Sequence, residues 1–152
     1  MSSASGASRI RAHPKPPRTP RMSVPPQVLI VDDDASIRSL YEDILRAEDY
    51  AVATAGTGAD AMGTLERLGG VVDVLVLDIG LPDADGTNVA KEIVARIGQR
   101  PTLYVSGWAD EFSDLAEAPG RWLVMQKPIP VPSLIAAIDW LSGRRADRPS
   151  VA

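Results

Sequence analysis

Residues 74–86 read Val74-Leu75-Val76-Leu77-Asp78-Ile79-Gly80-Leu81-Pro82-Asp83-Ala84-Asp85-Gly86. Four apolar residues in a row end in an acid, and a turn rich in Pro, Asp and Gly follows. A short continuous apolar run bounded by turn residues suits a parallel strand covered on both faces. Similar runs stand at Val28-Leu29-Ile30-Val31, Thr102-Leu103-Tyr104-Val105 and Leu123-Val124-Met125, with a weaker one at Ala51-Val52-Ala53. Between them the period changes to that of a helix. Ile37, Leu40, Tyr41, Ile44 and Leu45 are spaced i, i+3, i+4, i+7, i+8; Val89, Ile93 and Ile97 repeat the stripe, as do Leu134, Ile138 and Leu141. Ala61, Leu65 and Leu68 make a weaker stripe, and residues 109–118 the least patterned helix. Asp34 is placed to N-cap the first helix, and Thr57 with Asp60 resembles a capping box. Pro82, Asp83 and Asp85 suit a turn and a helix start. Gly69-Gly70 and Gly98 are expected to stop two helices. Strand and helix alternating five times with short loops predict an α/β domain, a doubly wound parallel sheet over residues 27–142.

The flanks differ from this body. Residues 1–26 carry Arg9, Arg11, Lys15, Arg18 and Arg21, no acid, five serines and six of the thirteen prolines. With almost nothing to bury, they are expected to form a disordered basic tail. Deleting residues 1–21 is expected to leave the fold unaffected. Residues 143–152, with Arg144, Arg145 and Arg148, are expected to form a frayed polar end. The rest of the chain beyond residue 26 holds eleven basic and twenty acidic residues, −9 in all, so that the total is −4. Such a body disfavours nucleic-acid binding, which needs clustered Lys and Arg. Zero cysteines and the single His13 exclude disulfides, thiolate metal sites and multi-His centres. No secretory signal is evident, and no apolar run approaches the roughly 18 residues of a membrane span. A cytoplasmic location is the expectation.

Ligands of open α/β sheets bind at the carboxyl ends of the strands. There the first strand runs into Asp32-Asp33-Asp34, the third ends in Asp78, the fourth in Ser106-Gly107, and the fifth runs into Lys127-Pro128. Two carboxylates about 5 Å apart repel by about 3 kcal/mol at an effective dielectric of 20. Asp32, Asp33 and Asp78 total −3, and Lys127 reduces that to −2. A divalent cation would complete the neutralisation. With oxygen ligands alone, the ion expected is Mg²⁺ or Mn²⁺ rather than zinc.

Taken together, VLIVDDD at 28–34, VLVLDIGLPDADG at 74–86, YVSG at 104–107 and QKP at 126–128 resemble the response-regulator receiver domain of two-component signalling. The resemblance covers residues 27–142 in order and spacing. It implies a flavodoxin-like (βα)5 sandwich with strand order 2-1-3-4-5. It also implies that Asp78 is the phosphoacceptor, and that Asp33, Asp78 and the backbone carbonyl of Gly80 ligate Mg²⁺, with Asp32 helping to hold the ion. Ser106 would bond a phosphoryl oxygen and Lys127 would pair with the phosphoryl group. Gly107 would leave the acceptor accessible, and the Lys127-Pro128 bond would be cis. The partners implied are a sensor histidine kinase or a histidine phosphotransfer protein. The domain would not be an enzyme in the ordinary sense, but would assist its own phosphorylation and dephosphorylation. With no output domain in the sequence, it would signal by docking to another protein.

One position departs from that family. Its members usually carry Tyr or Phe three residues before the lysine, where this chain has Val124; Trp122 shares the face of Val124, one step removed. Output is therefore expected to run through the 106–112 loop, with Trp108 and Phe112. Two other readings compete. Asp32-Asp33-Asp34, Ser106 and Lys127 also mimic the order found in haloacid-dehalogenase-type phosphatases, but the later acidic metal motif is missing and Asp78-x-x-x-Pro82 would be unexplained. A phosphorylation-independent interaction module would leave the intact site residues without a purpose.

Overall fold

A computed structural model describes residues 24–81, 83–107 and 120–150. Most of the tail, Pro82, the helix expected over 109–118, and Trp108 and Phe112 lie outside the described residues. Five strands form one parallel sheet: β1 (Gln27–Val31), β2 (Ala51–Ala55), β3 (Val74–Asp78), β4 (Thr102–Ser106) and β5 (Trp122–Gln126). They lie in the order β2-β1-β3-β4-β5, the arrangement the resemblance implied. The helices described are α1 (Ala35–Ala47), α2 (Gly58–Arg67), α3 (Gly86–Ile97) and α4 (Val131–Leu141).

Strand alternation divides the core into two layers. Val28, Ile30, Val76, Leu103 and Met125 pack with Tyr41 and Leu45 of α1 and Leu134, Ile138 and Leu141 of α4. Leu29, Val31, Leu75, Leu77 and Tyr104 pack on the other side with Leu65 of α2 and Val89 and Ile93 of α3. Every residue of β3 and β4 is buried, as continuous apolar runs require. Val124 and Trp122 lie partly buried in the second layer. Tyr104, directly opposite Val124 in the β4–β5 register, is buried in the same layer.

Local signals place the helix ends. The Asp34 carboxylate accepts from the N–H groups of Ser36 and Ile37, and Thr57 Oγ1 accepts from Asp60 N–H. Asp85 caps α3 by accepting from Thr87 N–H. Gly69, Gly70 and Gly98 take positive φ where α2 and α3 stop. One member of the α1 stripe departs from expectation: Leu40 is 49% exposed, because the core-facing row runs through Ile37, Tyr41, Ile44 and Leu45 and leaves Leu40 beside it.

The frayed end expected over 143–152 is corrected for its described residues, 143–150, which make fixed contacts. Gly143, at φ 86°, turns the chain back along the domain. Arg144 then donates to the carbonyls of Glu48 (2.6 Å) and Asp49 (2.9 Å) and lies 4.0 Å over the Tyr50 ring. Arg148 reaches the Trp122 carbonyl at 3.4 Å and covers Trp140, whose ring also carries Arg121 at 4.1 Å. Tyr50 itself is buried and donates to Asp139 Oδ1 at 2.6 Å. At the opposite sheet edge, Arg46 Nη2 donates to the Val52 carbonyl at 2.9 Å.

Candidate functional site

Three strands deliver the acids and the lysine to one edge. β1 and β3 are neighbours, so Asp32, just past the end of β1, stands beside Asp78, the last residue of β3. Asp32 and Asp78 are 2% and 5% exposed, whereas Asp33 faces solvent. One carboxylate oxygen from each of the three lies within 4.8 Å of the others. Lys127, just past β5, spans the distance to two of them: its Nζ is 3.0 Å from Asp32 Oδ2 and 3.1 Å from Asp78 Oδ2. The Lys127-Pro128 bond is cis. The backbone holds the remaining oxygens, with Asp34 N–H donating to Asp32 Oδ1 at 2.9 Å and Gly80 N–H to Asp78 Oδ1 at 3.0 Å. Ser106, fully buried, ends β4 next to this edge, and Gly107 leaves open space where a side chain would stand.

The charges perturb one another as that geometry requires. Burial pushes the Asp32 carboxyl up, and the like charge of Asp78 adds to it; the Asp34 N–H and Lys127 oppose but do not cancel the rise. Burial acts to lower the Lys127 ammonium, yet Asp32 and Asp78 outweigh it and hold the group above its ordinary value. The Tyr41 hydroxyl, under the same edge, is raised by burial and by the Asp32 charge.

All six residues singled out from sequence, Asp32, Asp33, Asp78, Gly80, Ser106 and Lys127, thus stand at one end of the sheet. Three supporting residues were not foreseen. Gly86 packs so tightly that a Cβ there would sit 2.4 Å from the Asp78 carbonyl oxygen and 2.9 Å from the Ile79 Cα. The glycine at the close of the Asp-Ala-Asp-Gly turn was the available signal. Asp83 helps to start a different helix from the one expected, because its two oxygens accept from Gly58 and Ala59 N–H at the start of α2. Arg38 Nη1 donates to the Asp32 carbonyl at 2.7 Å, a contact no sequence period reveals.

Comparison with known proteins agrees with this geometry. The Brucella abortus sensor kinase CckA is 30% identical over 112 residues, 73% of this chain and 12% of that protein. The Mycobacterium tuberculosis transcriptional regulatory protein TrcR is 31% identical over 131 residues, 83% of this chain and 49% of that one. The chain thus spans about half the length of one of these relatives and far less of the other. Among solved structures, the CheY-like response regulator receiver domain protein from Methanospirillum hungatei superposes with a TM-score of 0.69 at 26% identity, covering 79% of this chain and 95% of its own. The receiver domain from the hybrid histidine kinase CckA gives 0.64 at 26%, covering 76% and 98%. Residues 28–139 match the response regulator receiver domain. A match over that much of the chain, ending on an acidic edge built as such a domain requires, establishes that the chain belongs to the response-regulator receiver domain family of two-component systems.

Proposed function

We propose that this receiver domain takes a phosphoryl group onto Asp78 from a phosphohistidine of a sensor kinase or a histidine phosphotransfer protein. The observation that carries the proposal is the cluster itself: three carboxylates within 4.8 Å, joined by one ammonium, at the end of the sheet. Formally −2 after Lys127 is counted, and built from oxygen donors, it fits a hard divalent ion. Asp32, Asp33, Asp78 and the Gly80 carbonyl would hold Mg²⁺ or Mn²⁺. When bound, the ion would neutralise charge on the transferring group.

The chain's own residues supply the rest. An ionised Asp78 oxygen attacks phosphorus as the bond to the histidine nitrogen breaks. Gly80 N–H, already on Asp78 Oδ1, keeps the carboxylate oriented. Lys127 is placed to follow the incoming charge, since its Nζ already lies 3.1 Å from Asp78 Oδ2. Ser106, at the end of the neighbouring strand, would hydrogen-bond a phosphoryl oxygen, and Gly107 leaves room for it. Preorganised positive groups of this kind are where catalysis of phosphoryl transfer resides.

The domain is proposed to act stoichiometrically, not as a phosphatase of stable phosphomonoesters. Incubation with such esters and Mg²⁺ is expected to give no turnover, whereas the haloacid-dehalogenase-like reading requires it. One relative is named a sensor kinase and another a transcriptional regulator. The proposed partners of this chain are proteins rather than nucleic acid, because residues beyond 26 sum to −9. No helix among the described residues is long and apolar enough to cross a membrane, in line with a proposed cytoplasmic site of action. The decisive experiment is labelling by a cognate kinase or acetyl phosphate. Asp78→Asn is expected to keep the fold and lose the label; equal labelling would overturn the assignment, and a wild type that neither labels nor binds beryllofluoride would favour a phosphorylation-independent module.

A further inference from the structure

Next to the acidic edge, which it adjoins at Arg38, a cleft of about 350 Å³ opens beside β2, the outermost strand on its side of the sheet, lined by residues of α1 and α2. Its walls carry Arg38 from α1 and Arg67 from α2, with Thr54 on the strand and Asp60, Gly63 and Thr64 on α2. Each guanidinium is tied by a neutral acceptor. Arg38 Nη1 donates to the Asp32 carbonyl at 2.7 Å, and Arg67 Nη2 to Thr64 Oγ1 at 3.1 Å. Thr64 is 3% exposed, so its hydroxyl is a fixed post for Arg67. Neither arginine makes an ion pair among the described residues, although Asp60 lines the same cleft and the body of the chain is acidic. A guanidinium has five N–H donors, so most of those on both residues remain for something else.

Gly63 supplies an independent observation. It stands inside α2, where glycine weakens a helix relative to alanine. Packing does not call for it, because a Cβ built there would meet nothing within 4 Å. Its effect is to keep that wall of the cleft clear. We infer that this cleft binds a small ligand bearing a phosphate or carboxylate group, gripped between Arg38 and Arg67. Charge-assisted hydrogen bonds from two guanidinium groups lining one cleft suit such an oxyanion, and the threonine on the strand lies within the same cavity.

The inference stands apart from the phosphoacceptor reading, and its test is run on protein stripped of metal and exchanged into chelator-free buffer, so that the acidic edge holds no metal and no chelator carboxylate competes for the cleft. The full chain, isotopically labelled, is titrated at constant ionic strength with inorganic phosphate and, separately, with citrate. Saturable shifts of the Thr54 and Gly63 amides are expected with at least one of them, phosphate alone pointing to a phosphoryl ligand and citrate alone to a carboxylate. Arg38→Gln and Arg67→Gln are each expected to weaken binding about tenfold or more. Arg96→Gln, on α3, is expected to change nothing. Because Arg38 also touches the Asp32 loop, Arg67→Gln is the deciding variant, with preserved amide dispersion as the check on folding. No saturable shift with either anion, or shifts that survive Arg67→Gln in a folded protein, would overturn the inference.

Discussion

Asp83 holds the start of α2 with both of its oxygens: Oδ1 accepts from Gly58 N–H at 2.8 Å and Oδ2 from Ala59 N–H at 3.1 Å. A carboxylate at a helix N-terminus meets unpaired donors and the positive end of the dipole. Those bonds hold the Asp83 carboxyl below its ordinary value. Since its folded value is the lower one, its stabilising contribution is present above the unfolded value and is lost as pH falls through the folded one. Asp83→Ala is therefore expected to lower Tm at neutral pH, with the gap from wild type narrowing on acidification below the ordinary carboxylate range. Thermal melts across an acid series check this; a gap that stays constant to low pH would show that charge plays no part. This partnership spans 25 residues of sequence, so the local pattern could announce only an acid in a turn.

Among the elements, the start of α3 makes a close backbone approach to the end of β3. Gly86 N–H donates to the Ile79 carbonyl at 3.0 Å, drawing the start of α3 onto the strand end that carries Asp78. The absent Cβ is what permits that approach. Gly86→Ala would force backbone apart, a cost of about 1–3 kcal/mol by the usual scale of overpacking. It is expected to lower Tm and also to slow labelling of Asp78, because the proposed acceptor's own carbonyl is the atom displaced. Normal labelling in a destabilised variant would separate α3 docking from acceptor geometry. Strands and helices were readable because their periods are local: Val74–Leu77 and Leu134, Ile138, Leu141 each declare a period within a dozen residues. What the period missed is lateral. Leu40 fits the α1 stripe yet lies beside the core, since a stripe gives a face and not its borders.

At the scale of the whole molecule, the proposed metal site would couple ion binding to stability. Two nearly buried carboxylates and a third within 4.8 Å repel one another across one end of the sheet. A ligand that binds the folded form alone raises the apparent stability. Mg²⁺ is therefore expected to raise Tm in a concentration-dependent way, and Asp33→Ala to abolish the increment, as read by calorimetry with and without EDTA. An increment that persists in Asp33→Ala would place the ion elsewhere. The candidate site was legible as a whole because each of its members ends or follows a strand, a position sequence can mark. The closing segment was not, because a run holding Arg144, Arg145 and Arg148 looks like solvated charge until the turn at Gly143 lays it against Tyr50 and Trp140. The same segment bears on how the protein behaves in a crowded solution. An open sheet has two rims, and each offers unpaired carbonyls to any passing extended chain. Here an arginine donates to a strand carbonyl on each rim, Arg46 at Val52 and Arg148 at Trp122. These guanidinium groups act as guards against edge-to-edge aggregation. Removing both, in Arg46→Ala/Arg148→Ala, is expected to leave a folded protein when dilute but to raise light scattering with concentration and time relative to the parent chain.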